Sequence, residues 1–389
     1  ARWFSWGIGE LALEHLRGTH AELALLYGPA VPLDTLAWRL LTFVGDPATA
    51  GDLDVEARRR WEQILLLDPT VASMRFSAAD LAGPVAEAFA APAPAWYAGR
   101  HQSPDVMIAA RDIDAIARGE YEFVLGEVHT GAVTVDSATH NWIEPAPHAI
   151  RAPSEAALDD GLERYVPLYR RGMARVTARS YPVPESFSDR YRYLSFGPAA
   201  GEREVPDGCR LEMSAMHVVD GADGLVVTLP DGSARAALVV VGEMLSLLNR
   251  AFGVVPRWPH TPRVTVDRLV VARETWRVPA EDFAVPRNRP DPDPIGRVTA
   301  VADRHGLPRR TFWRARSGTK PVYLDLHSPL LVRLAAASLR DAVPDTSVTF
   351  TEMLPGPDQL WLADAQGRRY TSELRLTLAE GPTAGSHRT

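Results

Sequence analysis

The stretch that most restricts the fold is "CRLEMSAMHVVDGADGLVVTLPDGSARAALVV", Cys209 to Val240. It places two Asp-Gly turn signals between short apolar runs. Asp-Gly tolerates the positive φ of a tight hairpin turn whose twist matches the flanking strands, so the runs are expected to pair antiparallel. A chain built on such hairpins is not a doubly wound parallel sheet. Further strands are read in "YEFVLGEVHTG" and "RYRYLSFG", which are rich in aromatic and β-branched residues, and in "VTVDRLVVARETWRV". "PVYLDLHSPLLVRLAAASLRDA" passes from strand to helix, with Ser328 as N-cap and Pro329 in the first helical position. "QLWLADAQGRRYTSELRLTL" reads as a hairpin followed by an edge strand. "SEAALDDGLERYVPLYRRGMARVTARSY" reads as a helix interrupted near Pro167.

The beginning of the chain has a different period. Leu11, Leu16, Leu23 and Leu26 recur at roughly helical spacing, and "LDTLAWRLLTFVG" and "DVEARRRWEQILLLD" repeat the pattern. Ser77 is placed to cap a fourth helix, and "APAPAW" is a proline-broken connector. The expectation is an α+β protein: a mainly helical segment over 1–95, antiparallel sheets with packed helices over 96–380, and a disordered tail over 381–389. The proline-rich "VPRNRPDPDPIG" is expected to be an exposed loop.

Composition removes several classes. The 389 residues are 46% hydrophobic and 23% charged, as in globular proteins. No apolar run approaches the roughly 20 residues of a membrane helix, and no secretory signal opens the chain. The single cysteine, Cys209, rules out a disulfide framework and a cysteine-rich zinc site, and points to a reducing, cytoplasmic setting. "PDGCRLEM" reads as a turn feeding a strand, with Cys209 as a small buried hydrophobe. "SWGIGEL" lacks the glycines and the preceding strand of a dinucleotide site, and no G-x-S-x-G elbow occurs.

Chemistry concentrates in "SPDVMIAARDIDAIARGEYEFVLGEVHTG", Ser103 to Gly131. Asp105 follows Pro104 and reads as a turn cap. In the short helix of "ARDIDAIARGEY", Ile113 and Ile116 are expected inward and Asp112 and Asp114 on a solvated face. Glu127 and His129, two apart on a strand, point to one side. A carboxylate beside an imidazole can orient it as a general base, so the pair is the candidate catalytic unit. The alternative is a buried structural pair. No metal is expected, because two ligands do not make a site. His140, Trp142 and His148 fall on a loop.

Of the 42 basic residues only Lys320 is a lysine, and the net charge is -7. That balance argues against a uniformly basic surface and leaves room for local patches. Arg171, Arg175 and Arg179 follow one helical face. "LPRRTFWRARSGTK" gathers Arg309, Arg310, Arg314, Arg316 and Lys320 around Phe312 and Trp313. Guanidinium forks suit phosphate, and interleaved aromatics can stack bases, so Arg309, Arg310, Arg314, Arg316, Lys320, Arg171 and Arg175 are the candidate nucleic-acid contacts. A merely solvated charged face is the alternative.

Five segments, "SPDVMIAARDIDAIARGEYEFVLGEVHTG", "PRVTVDRLVVARETWRVP", "RHGLPRRTFW", "KPVYLDLHSPLLVRLAA" and "GRRYTSELRL", occur in the order found in lantibiotic dehydratases. The chain resembles the C-terminal half of their N-terminal glutamylation domain from about residue 96 onward. The resemblance implies glutamyl-tRNA as cosubstrate, no bound cofactor, and transfer of glutamate to Ser or Thr of a ribosomal precursor peptide in antibiotic biosynthesis. It also implies, as partners, the precursor peptide, a separate elimination domain or a cyclase, and a second copy in a homodimer. Against that layout the chain is expected to be a fragment or one part of a split protein. The other readings are a non-catalytic module that binds tRNA or precursor peptide, part of a peptide aminoacyl-tRNA ligase, and an unrelated enzyme built on Glu127 and His129.

Overall fold

A computed structural model describes residues 1–46, 48–131, 162–168, 188–197, 205–248, 258–285, 291–315, 320–340 and 346–379. Four helices open the chain: α1 (Arg2–Tyr27), α2 (Leu33–Gly45), α3 (Gly51–Leu65) and α4 (Ala78–Ala88). α1 buries Trp3, Phe4, Ile8, Ala12, Leu16 and Leu23 along one stripe, while Leu26 is 79% exposed and lies beyond it. Ser77 caps α4 by accepting from Ala79 N–H. The stripes of α1 and α2 share a core with Met213, Met216, Val218, Val227, Leu238 and Val241. The helical opening and the hairpin region are therefore packed on each other.

The Asp-Gly hairpins are present. β1 (Val31–Pro32), β8 (His217–Gly221), β9 (Gly224–Thr228) and β10 (Ala234–Ala236) form an antiparallel sheet in that order, followed by α6 (Ala237–Val241). Gly224 and Gly232 take φ of 111° and 82° at the two turns, which a side chain would resist.

"VTVDRLVVARETWRV" is not one strand but three. β12 (Arg263–Val266) turns at Asp267, φ 51°, into β13 (Leu269–Ala272), and β14 (Thr275–Pro279) leaves for another sheet. An aspartate tolerates the left-handed region, which lets a turn form without glycine. The seven-stranded sheet runs β2 (Ser73–Phe76), β12, β13, β4 (Glu122–Thr130), β3 (His101–Ala109), β20 (Glu373–Arg375), with β21 (Leu378–Ala379) also on β3. It is mixed: β2 with β12 and β13 with β4 are parallel. The short α5 (Ile113–Ala117) joins β3 to β4.

The five-stranded sheet is antiparallel: β11 (His260–Thr261), β14, β17 (Ser347–Glu352), β15 (Arg310–Arg314), β16 (Val322–Asp325). α7 (Pro294–Arg304) and α8 (Pro329–Leu339) pack on it through Val301, Val332, Val278 and Phe350. Ser328 accepts from Leu331 N–H and Pro329 opens α8, as the sequence indicated.

A three-stranded parallel sheet joins β5 (Tyr165–Leu168), β6 (Arg192–Ser195) and β7 (Arg210–Glu212). Pro167 thus lies in a strand rather than in an interrupted helix. β5 is at the edge, where a missing N–H is tolerated. β18 (Leu362–Ala363) and β19 (Arg369–Tyr370) make the closing hairpin. Among the described residues no helix is long and apolar enough to cross a membrane. Arg171, Arg175, Arg179, Arg316, His140, Trp142, His148, residues 286–290 of the proline-rich stretch and the tail from 381 lie outside the described residues, and Pro294–Gly296, the end of that stretch, open α7 instead of continuing a loop.

Candidate functional site

β3 and β4 pair at the middle of the seven-stranded sheet, with Ser103 opposite His129. The register then slips between Pro104 and Val106, where Gly126 and Glu127 of β4 face Asp105 alone, so the extra residue is in β4 and Asp105 is an inner strand residue opposite the bulge, not a turn cap. Gly126 makes room for it: a Cβ there would sit 3.2 Å from the Asp105 carbonyl oxygen. The bulge turns a carboxylate that is 6% exposed toward two donors.

Arg375 of β20 donates to Asp105 twice, Nε to Oδ1 at 2.6 Å and Nη2 to Oδ2 at 2.9 Å. His129 Nε2 lies 3.0 Å from the same Oδ2. Burial pushes the Asp105 carboxyl up, and the hydrogen bonds from Arg375 and His129 outweigh it, leaving the group below the usual carboxylate range. An ionised Asp105 only accepts, so the His129 proton sits on Nε2. Glu127 and His129 do share a side of β4, at 3.8 Å from Oε2 to Nε2, but the tight partner of the imidazole is Asp105. Glu127, with its side chain 55% exposed, is the carboxylate of the cluster that meets solvent. Glu373 lies 3.6 Å from Arg375. The arrangement can fix an imidazole in one tautomer and present an exposed carboxylate beside it.

Asp105 and Arg375 are the residues that sequence reasoning missed. They stand 270 positions apart, and only the pairing of β20 on β3 unites them. Asp112, expected as plain helix surface, is the N-cap of α5 and accepts from Ala115 N–H at 2.7 Å. Ile113, expected inward, is 59% exposed, and Ala115 takes the buried position.

The second candidate surface lies on the five-stranded sheet. Arg309 grips Asp325 through Nε and Nη2 at 2.9 and 3.2 Å, and Arg310 Nε reaches it at 3.4 Å. The Arg309 hydrogen bonds, helped by His327 N–H, hold the Asp325 carboxyl well below its usual range. Along β15 the residues alternate: Arg310, Phe312 and Arg314 are half-buried on one side, while Thr311 and Trp313 are buried on the other. Trp313 belongs to the helix-covered core and offers no face to a base. Its place in the surface is taken by Tyr323, opposite Phe312 on β16 at 5.8 Å. Lys320 is exposed two residues before β16 begins. Arg316, Arg171 and Arg175 cannot be placed on this surface, since they lie outside the described residues.

Cys209 is buried in a turn closed by its own N–H to Pro206 C=O at 3.0 Å, directly before β7. Among the described residues no group of three or more His, Cys, Asp and Glu could hold a metal ion.

No family model matches the chain and no curated protein does. Solved structures do. The glutamylation domain TbtB from thiomuracin biosynthesis superposes with a TM-score of 0.56 at 21% identity, over 97% of this chain and 48% of that one. The same domain bound to 5'-phosphodesmethylglutamycin gives 0.55 at 22% identity over the same shares. MibB from Microbispora sp. 107891, a tRNA-dependent lantibiotic dehydratase, gives 0.50 at 16% identity, over 87% of this chain and 35% of that one. The chain spans less than half the length of these proteins, and at such identities the likeness is one of fold. That fold, helices and mixed sheets included, is the one of the lantibiotic-dehydratase glutamylation domain.

Proposed function

We propose that the chain is part of a tRNA-dependent glutamyl transferase that modifies Ser and Thr of a ribosomally made precursor peptide. The observation that carries this reading is the fold likeness to a glutamylation domain over 97% of the chain. The five ordered sequence segments support it. In the reaction a peptide hydroxyl attacks the carbonyl carbon of the glutamyl ester. A new ester bond forms, the bond to the terminal ribose oxygen breaks, and the hydroxyl proton ends on that ribose oxygen. The donor is already an activated ester, so positioning supplies much of the rate.

In this reading His129, fixed by Asp105, and the exposed Glu127 orient the hydroxyl. The ribose-phosphate chain of glutamyl-tRNA lies along Arg309, Arg310, Arg314 and Lys320. Phosphate replaces Asp325 in the Arg309 fork, and Phe312 with Tyr323 offers a stacking face. Elimination of glutamate falls to another domain or partner chain. A second reading, a binding module that grips tRNA for a partner, is favoured by how fully the buried Asp105 is occupied by Arg375 and His129.

The test incubates the full-length protein with labelled glutamyl-tRNA and a candidate precursor peptide containing Ser and Thr. Label on the peptide, reduced at least about tenfold by Glu127→Gln and His129→Ala proteins of unchanged fold, is the expected result. Tight tRNA binding without transfer assigns the module reading instead.

A further inference from the structure

The far end of the seven-stranded sheet holds a groove that none of the roles above uses. It is an open groove of about 470 Å³ between the end of β3, the start of β4, the β12–β13 turn and the short helical turn Pro357–Gln359. Its charged lining is mostly neutralised in place. Arg75 donates to Glu122 at 2.6 Å, Arg111 to Asp112 at 2.8 Å, and Arg118 to Glu120 at 2.8 Å. Two lining charges remain: Arg268 and Asp358 are exposed and enter no salt bridge among the described residues, with each other or with a third group.

Both are held in position. The Arg268 guanidinium lies 5.5 Å from the centre of the Tyr121 ring, an attraction that orients the cation without neutralising it. Its backbone carbonyl accepts from Phe123 N–H at 2.9 Å, which ties the turn to β4. Gly119, at φ 79°, leaves the space: a Cβ there would meet Arg268 Nη1 at 3.3 Å. Asp358 is carried on a turn anchored to the end of β3 by Ala110 N–H to Gln359 C=O at 3.1 Å.

We propose that this groove binds a group carrying one carboxylate and one ammonium, the first on Arg268 and the second on Asp358. A bare phosphate is disfavoured, because Asp358 would repel it, and a base is disfavoured, because Arg268 already covers Tyr121. L-Glutamic acid α-methyl ester is a probe with this charge pair: its α-carboxyl is consumed by the ester, leaving the α-ammonium and the γ-carboxylate. The groove lies roughly 16–23 Å along β4 from Glu127 and His129, where the transfer reading places the reacting ester, so its ligand is a separate amino-acid-like group and the pairing of charges does not rest on that reading.

Titration calorimetry with L-glutamic acid α-methyl ester is the direct test. Binding is expected, weakened at least about tenfold by Arg268→Ala and by Asp358→Asn, the scale of one charge-assisted hydrogen bond. Arg268→Lys should restore part of it. The N-acetylated ester, which lacks the ammonium, and L-glutamine α-methyl ester, which lacks the carboxylate, should each lose a similar factor. Neither side chain is buried, so thermal unfolding of the variants should match the parent. No binding of the ester, or binding indifferent to both variants, overturns the proposal. Equal binding of the acetylated ester overturns it too, by reducing the groove to a simple anion site. If the ester binds through both residues while the full-length protein transfers nothing from glutamyl-tRNA, the groove stands and the transferase reading falls.

Discussion

Asp105 and Asp325 each receive an arginine fork, and they differ in almost everything else. Asp105, side chain 8% exposed, is gripped by Arg375 from 270 positions away across a sheet. Asp325 is gripped by Arg309 from the adjoining strand, and that arginine side chain is 48% exposed. The bond lengths are similar, so geometry alone does not rank them. Burial does. An exposed pair in high dielectric contributes about 0–1 kcal/mol and can trade its carboxylate for another anion. Removing one member of a buried pair leaves a charge without compensation, which costs several times more. The first pair joins β20 to β3 inside the sheet, and the second is the surface that the proposed reading has exchange its carboxylate for phosphate.

The largest effect should come from breaking the buried pair. Asp105→Asn is expected to lower stability by about 2–4 kcal/mol in denaturant titration, at the lower part of the buried range because Arg375 is 37% exposed. A loss no greater than that of Asp325→Asn would erase the distinction between the two forks.

The pH dependence sharpens the same contrast. The Asp105 carboxyl sits below its ordinary 3.8 in the folded chain. Its contribution is therefore whole above pH 3.8 and disappears as the pH falls through the folded value. Asparagine cannot titrate, so the stability gap between parent and Asp105→Asn should be level near neutrality and close below pH 3.8. A gap that widens in acid would show the opposite sign.

An intermediate effect is expected at His129, which shares the buried Asp105 but is not its only donor. His129→Ala should cost roughly 1–2 kcal/mol in thermal or denaturant unfolding, since Arg375 still satisfies the carboxylate. A loss equal to that of Asp105→Asn would mean that the imidazole, rather than the guanidinium, carries the cluster.

What the sequence made legible follows the same division between near and far. The Asp-Gly hairpins and the Ser328–Pro329 helix start depend on neighbours within a few residues, and the structure has them where the sequence put them. The Arg309–Arg310 surface was legible for the same reason, although alternation along β15 moved Trp313 into the core. β3 was not legible as a strand, because "SPDVMIAA" carries a proline and an aspartate that a central strand ordinarily excludes. An extra residue in β4 opposite Asp105 accommodates them, and a bulge in the partner strand leaves no pattern in this one. The His129–Glu127 adjacency was legible from period two. The partner that matters most to His129 came from β3, the strand beside it, and the arginine that completes the cluster came from the far end of the chain.

The smallest effect on stability is expected at the exposed fork, where Arg309→Ala should change unfolding by no more than about 0.5 kcal/mol. Its consequence should appear in binding. The most direct test of the account is the salt dependence of glutamyl-tRNA binding to the parent chain and to Arg309→Ala, Arg310→Ala and Arg314→Ala, measured by filter retention. Each change should weaken binding and lower the slope of log affinity against log salt by about 0.7–0.9, one phosphate contact apiece. A full-length protein that binds no tRNA at low salt, or variants with the parent's affinity and slope, would contradict it.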